Sequence, residues 1–117
     1  MEVGPVKEVP DKTLDAWSVY EVPFEGPDRP PTRHLTGFVR ETCRGRVSMP
    51  IVRMDLKGRR ALTRSGRVYH LAGRPGMNSD ALYVWGLWKR TNHVPDGRDV
   101  TEEVADELSR AGGPPAE

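Results

Sequence analysis

The sequence predicts an α+β fold: a curved antiparallel sheet or small half-open barrel of about four to six strands, then two C-terminal helices. Three observations carry this expectation. Between residues 16 and 72, aromatic and β-branched residues alternate with polar ones in short runs, punctuated by turn residues every eight or so positions. Residues 81–90 then set apolar positions at helical spacing behind Asn78-Ser79-Asp80, which offers N-cap chemistry. Thr101-Glu102-Glu103 finally places acids in the first turn of a second helix, where the macrodipole favours them.

The elements follow in order. Trp17, Val19 and Glu21 alternate with Ser18, Tyr20 and Val22, which predicts a first strand over 16–24. Pro27, Pro30 and Pro31 then break the ladder, since proline has no N–H to donate. Leu35, Gly37 and Val39 alternate with Thr36, Phe38 and Arg40, giving a strand near 33–42. Arg44-Gly45 reads as the next tight turn. In Ile51-Val52-Arg53-Met54-Asp55-Leu56, strict alternation puts Val52, Met54 and Leu56 on one face, with Arg53 and Asp55 on the other. Lys57-Gly58 and Ser65-Gly66 mark hairpin turns around Arg59-Arg60-Ala61-Leu62-Thr63-Arg64, and Arg67-Val68-Tyr69-His70-Leu71 follows. Residues 81–90 also alternate at Tyr83, Trp85 and Leu87, but Lys89-Arg90 suit a helix C-terminus and favour the helix. Val104 and Leu108 give the last helix its apolar stripe before Gly112-Gly113-Pro114-Pro115 ends it. The core is expected from Trp17, Val19, Phe38, Val52, Met54, Leu56, Leu62, Val68, Leu71, Leu82, Trp85 and Leu108. Residues 1–15 read as a flexible acidic arm, 16–112 as one domain and 113–117 as a disordered tail.

A chain of 117 residues is the size of one domain and needs no staples to build a core. Cys43 is the one cysteine, so no intrachain disulfide forms, which suits a reducing compartment. With no signal-peptide pattern at Met1 and no apolar run long enough to span a bilayer, the expectation is a cytoplasmic protein without a membrane partner.

Charge is sorted along the chain. Residues 1–28 hold Lys7 and Lys12 against seven acids, a net of −5. Residues 29–75 hold twelve cations against Glu41 and Asp55, a net of +10. Residues 76–117 hold four cations against eight acids, a net of −4. The near-neutral total of +1 hides a basic middle able to attract an anionic partner. Arginine outnumbers lysine fourteen to four, and guanidinium forks suit phosphate, although a GC-rich genome gives the same bias. The candidate binding residues for nucleic acid or another polyanion are Arg44, Arg46, Arg59, Arg60, Arg64 and Arg67. Tyr69 stands beside them as a ring on which a base could stack. The competing reading pairs these arginines with the acidic ends of the same molecule.

Enzyme chemistry finds no support in the sequence. His34, His70, His93 and Cys43 lack the short spacings of a metal site, so neither metal nor cofactor is expected. There is no Gly-x-Ser-x-Gly elbow, no phosphate loop with its lysine, and nothing that marks Cys43 as a nucleophile. The expectation is a small non-enzymatic binding protein with no catalytic residues. The alternative partner is a protein: small size and charge blocks also suit an inhibitor or adaptor of phage or mobile-element type. For that role Tyr83, Trp85 and Trp88 are possible anchors, set against the plainer reading that they pack in the core.

Overall fold

A computed structural model describes residues 10–112. The strands are β1 (Lys12–Val22), β2 (Thr32–Val39), β3 (Arg44–Val47), β4 (Ile51–Asp55), β5 (Arg60–Thr63), β6 (Val68–Leu71) and β7 (Arg98–Asp99). Helix α1 (Ser79–Thr91) precedes β7, and α2 (Thr101–Gly112) follows it. The α+β class holds, with one curved sheet in the order β3-β2-β1-β6-β5-β4 and β7 added beside the C-terminal half of β1. Its ends, β3 and β4, do not pair, so the sheet is an open half-barrel. One pairing departs from the expected antiparallel meander: β1 and β6 run parallel, with Lys12–Leu14 opposite Tyr69–Leu71.

The first strand begins at Lys12, so residues 12–15 of the expected arm belong to the sheet. The rest of the arm before residue 10, and the tail after 112, lie outside the described residues. A bulge between Asp15 and Ser18 interrupts the β1–β2 register, and Ala16 sits there with φ at +48°. An extra residue at this point lets Leu14 and Trp17 both face the same core although they are three apart.

That core fills the concave face. Leu14, Trp17, Val19, Leu35, Val39, Tyr69 and Leu71 are buried there under Val100, Val104 and Leu108. Helix α2 is tied down by Thr101, whose Oγ1 accepts the Val19 N–H at 2.9 Å, and Asp99 Oδ1 accepts the Thr101 N–H. The convex face carries a second cluster under α1. Trp85 stacks on Tyr20 with centroids 4.7 Å apart, and Trp88 stacks on Phe24 at 5.4 Å. Trp85 and Trp88 are therefore packed on the sheet, which settles the reading in favour of the core, and the segment is a helix. Asn78 caps it as expected, its Oδ1 accepting the Ala81 N–H.

Four core expectations fail. Leu62 is only half-buried, because alternation in β5 puts it on the side opposite the buried Ala61 and Thr63. Val52 is 44% exposed because a second irregularity, between Ile51 and Arg53, turns it outward while Met54 packs inward. Leu82 is 39% exposed on the outer side of α1. Phe38 is only half-buried: it shares a side of β2 with His34 and Thr36, opposite the concave core that Leu35 and Val39 enter. The turn expected at Arg44-Gly45 lies earlier, at residues 40–43, with Cys43 at φ +55°. Gly45 is needed for another reason: a Cβ there would lie 2.5 Å from the Asp80 carbonyl carbon, so glycine lets α1 approach β3.

Candidate polyanion interface

Alternation and curvature decide where each basic side chain goes. On β6, Tyr69 shares the inner face with Leu71 and is 2% exposed. A ring this buried has no open face for a base, so Tyr69 carries no stacking role. Its hydroxyl instead accepts a 2.8 Å bond from Arg46 Nε, reaching across from β3. Burial raises the phenol above its ordinary value, with the nearby Arg67 guanidinium pulling the other way. Arg46 and Arg67 are thus brought together at one buried oxygen. Arg44 is exposed, and with Arg46 it borders a surface hollow of about 440 Å³.

His70 points to the opposite face from Tyr69 and is directly opposite Arg60 of β5. Its imidazole is held below its ordinary value, first by burial and then by the charges of Arg59, Arg40 and Arg60. Arg60 pairs with Asp55, its cross-strand neighbour on β4. Arg59 has φ at +58°, which turns its guanidinium back onto the chain end of β6. There it donates to the Leu71 carbonyl at 3.0 Å and to the Gly73 carbonyl. Arg40, just past β2, makes a two-pronged contact with Asp15 at 2.6 and 3.1 Å. With the exposed Arg74, the Arg40, Asp15 and Arg59 side chains line an open cleft of about 460 Å³ that contains His70 and Gly73. An adjoining hollow of about 360 Å³ shares Arg59 and Arg74 and is walled by α2 at Glu102, Asp106 and Ser109.

The predicted residues do not form one patch. Arg60 opens β5 with Arg59 just before it, whereas Arg64 and Arg67 lie past its far end, about 13 Å away at strand rise. Arg64 pairs with Glu25 in the proline-rich loop at 3.0 Å. Arg33 pairs with Glu21, Glu103 and Glu107, and Arg98 bridges Glu21 and Glu103. A substantial part of the basic middle is thus paired with acids from the two ends, as the competing reading expected. Sequence reasoning missed Arg40, His70 and Arg74. The signal for His70 was present: if Leu71 is core, Tyr69 is core too, and His70 faces out.

His34, on the convex face, is fully buried. A carbonyl can only accept, so its 2.9 Å contact with the Ser48 carbonyl puts the proton on Nδ1, and Nε2 accepts from Thr32 Oγ1. Its role is in packing, between Phe24 and Trp88. Among the described residues, no three of His, Cys, Asp and Glu converge as a metal site, and no helix is long and apolar enough to cross a membrane. Compared with known proteins, the chain matches no family model, no curated protein and no solved structure.

Proposed function

We propose that this is a cytoplasmic, non-enzymatic binding protein whose basic meander contacts nucleic acid or a similar polyanion, without strong sequence specificity. The observation that supports this reading is the open cleft lined by Arg40, Arg59 and Arg74 around His70, with the charge of Arg60 also acting on that imidazole. Asp15 and Asp55 offset two of these charges, which leaves a net positive site. The guanidinium groups of Arg40, Arg59 and Arg60 are positioned in advance by carboxylates or main-chain carbonyls, so little of their side-chain entropy is lost on meeting a phosphate. Arg44, Arg46 and Arg67 add a second cationic surface on the β3 side. With Tyr69 buried, the contact is to phosphates rather than to stacked bases.

Fluorescence polarisation with labelled single-stranded and duplex oligonucleotides tests the reading. Binding at low salt is expected, with a log–log slope of about −0.7 to −0.9 for each phosphate engaged. Arg74→Glu, at an exposed position, is expected to weaken binding without lowering thermal stability. Absence of binding at low salt refutes the proposal and leaves the protein-target reading, to be pursued by pull-down from nuclease-treated lysate. Binding unaffected by Arg74→Glu moves the site to the Arg44, Arg46 and Arg67 surface.

A further inference from the structure

We infer that the outward face of α1 docks a second copy of this chain, helix against helix and antiparallel. The helix buries Ala81 and Trp85 against the sheet. Its opposite side carries Asp80, Tyr83, Leu87 and Arg90, all exposed, with Tyr83 at 69% and Leu87 at 44%. Their spacing of three, four and three residues keeps them on one stripe, the seam geometry of paired helices. Gly86 lies beside that stripe, and a Cβ built there would find only the Arg90 guanidinium within 4 Å. The surface at mid-helix is therefore flat enough for another helix to come close. Exposed Leu82 extends the apolar area on the far side of Gly86.

Charge complementarity identifies the occupant. In an antiparallel self-pairing centred on residue 85, position 80 faces position 90 and position 83 faces position 87. Asp80 then meets Arg90 of the second copy, and Tyr83 meets Leu87, at both symmetry-related places. A parallel arrangement would set Asp80 against Asp80 and Arg90 against Arg90. Neither Asp80 nor Arg90 has an ion-pair partner among the described residues, so both charges remain available. Such an isologous contact closes on itself as a two-fold dimer. One helix face is a small interface, so the dimer should be weak, with a dissociation constant on the order of 10⁻⁴ M.

Sedimentation equilibrium of the full chain, from about 10 µM to about 1 mM, reads the association directly. The average mass is expected to rise towards that of a dimer. Leu87→Glu is expected to weaken association by about tenfold or more. Asp80→Arg and Arg90→Asp should each weaken it, and the double exchange D80R/R90D should restore it, because the opposed charges are exchanged as a set. A monomer across the whole range overturns the inference. So does a double exchange no better than either single change, which would mean that any association uses another surface. Circular dichroism melts of each variant separate loss of docking from loss of fold.

Discussion

Arg59 shows how one residue type can serve structure while looking like a ligand contact. It was expected among exposed phosphate-binding arginines. Its backbone adopts φ +58°, and its guanidinium closes the end of β6 by donating to two main-chain carbonyls. Burial pulls it below its ordinary value, but the guanidinium stays charged in a protein. The Gly73 carbonyl also accepts from Trp17 Nε1 at 3.4 Å, so this one oxygen links the core tryptophan to the cleft. Removing the guanidinium leaves the Leu71 carbonyl without that donor. Arg59→Ala is therefore expected to destabilise the fold by about 1–3 kcal/mol, against about 0–1 kcal/mol for a wholly exposed arginine. Urea denaturation monitored by tryptophan fluorescence checks this, and an unchanged midpoint would show that the bracket is dispensable. Mutating Arg59, Arg60, Arg64 and Arg67 together would thus confound binding with folding.

At the scale of the element, β1 organises the molecule, and its bulge is the reason. It pairs with β2 along its length, with β6 through its first half and with β7 through its second. The bulge at Ala16 resets the alternation, so that both halves face apolar residues into the concave core. A non-glycine residue at φ +48° is strained, and a β-branched one far more so. Ala16→Gly is expected to be neutral or mildly stabilising, and Ala16→Val to cost about 1–2 kcal/mol. Paired thermal melts distinguish the two, and equal losses for both would mean that φ is not what matters there. Strand β1 also marks where the sequence stopped being legible. Its existence, like the turns at Gly58 and Gly66 and the cap at Asn78, follows from local chemistry that a short window contains. The parallel β1–β6 pairing joins residues more than fifty positions apart, and no local pattern encodes it. Bulges defeat period-two reasoning for the same reason: one extra residue at 51–53 was enough to turn Val52 from core to surface. Tyr69 is a different kind of miss. Alternation with Leu71 already places it inside, and nearness to arginines in the sequence does not bring the ring to the surface.

For the whole molecule, the sorted charges become an internal clasp around a residual cationic cleft, and pH acts on both. Glu21, which grips Arg33 and Arg98, is held below its ordinary value chiefly by the Arg33 hydrogen bond, and Asp55 likewise by Arg60. Groups depressed in this way stabilise the fold above their unfolded values and lose that contribution as the pH drops through the folded ones, here below about 4.5. His34 and His70 are also depressed, both chiefly by burial. Below about 6.5 their unfolded imidazoles take up protons that the folded ones resist, so stability falls with decreasing pH already in that range. Two successive acid losses are therefore expected in urea midpoints measured from pH 8 to pH 3. His70→Gln should flatten part of the upper one, because His34 supplies the rest. Polyanion binding has the opposite sign. A phosphate in the cleft would stabilise the His70 imidazolium against the surrounding arginines, so affinity should strengthen as pH falls from about 7.5 to about 5.5. In the His70→Gln variant that pH dependence should shrink while the steep salt dependence persists, since in the proposed contact the arginines meet the phosphates. Polarisation titrations of both proteins at fixed salt across this window decide the matter. Identical pH profiles would remove His70 from the binding site, even if the protein as a whole still bound nucleic acid.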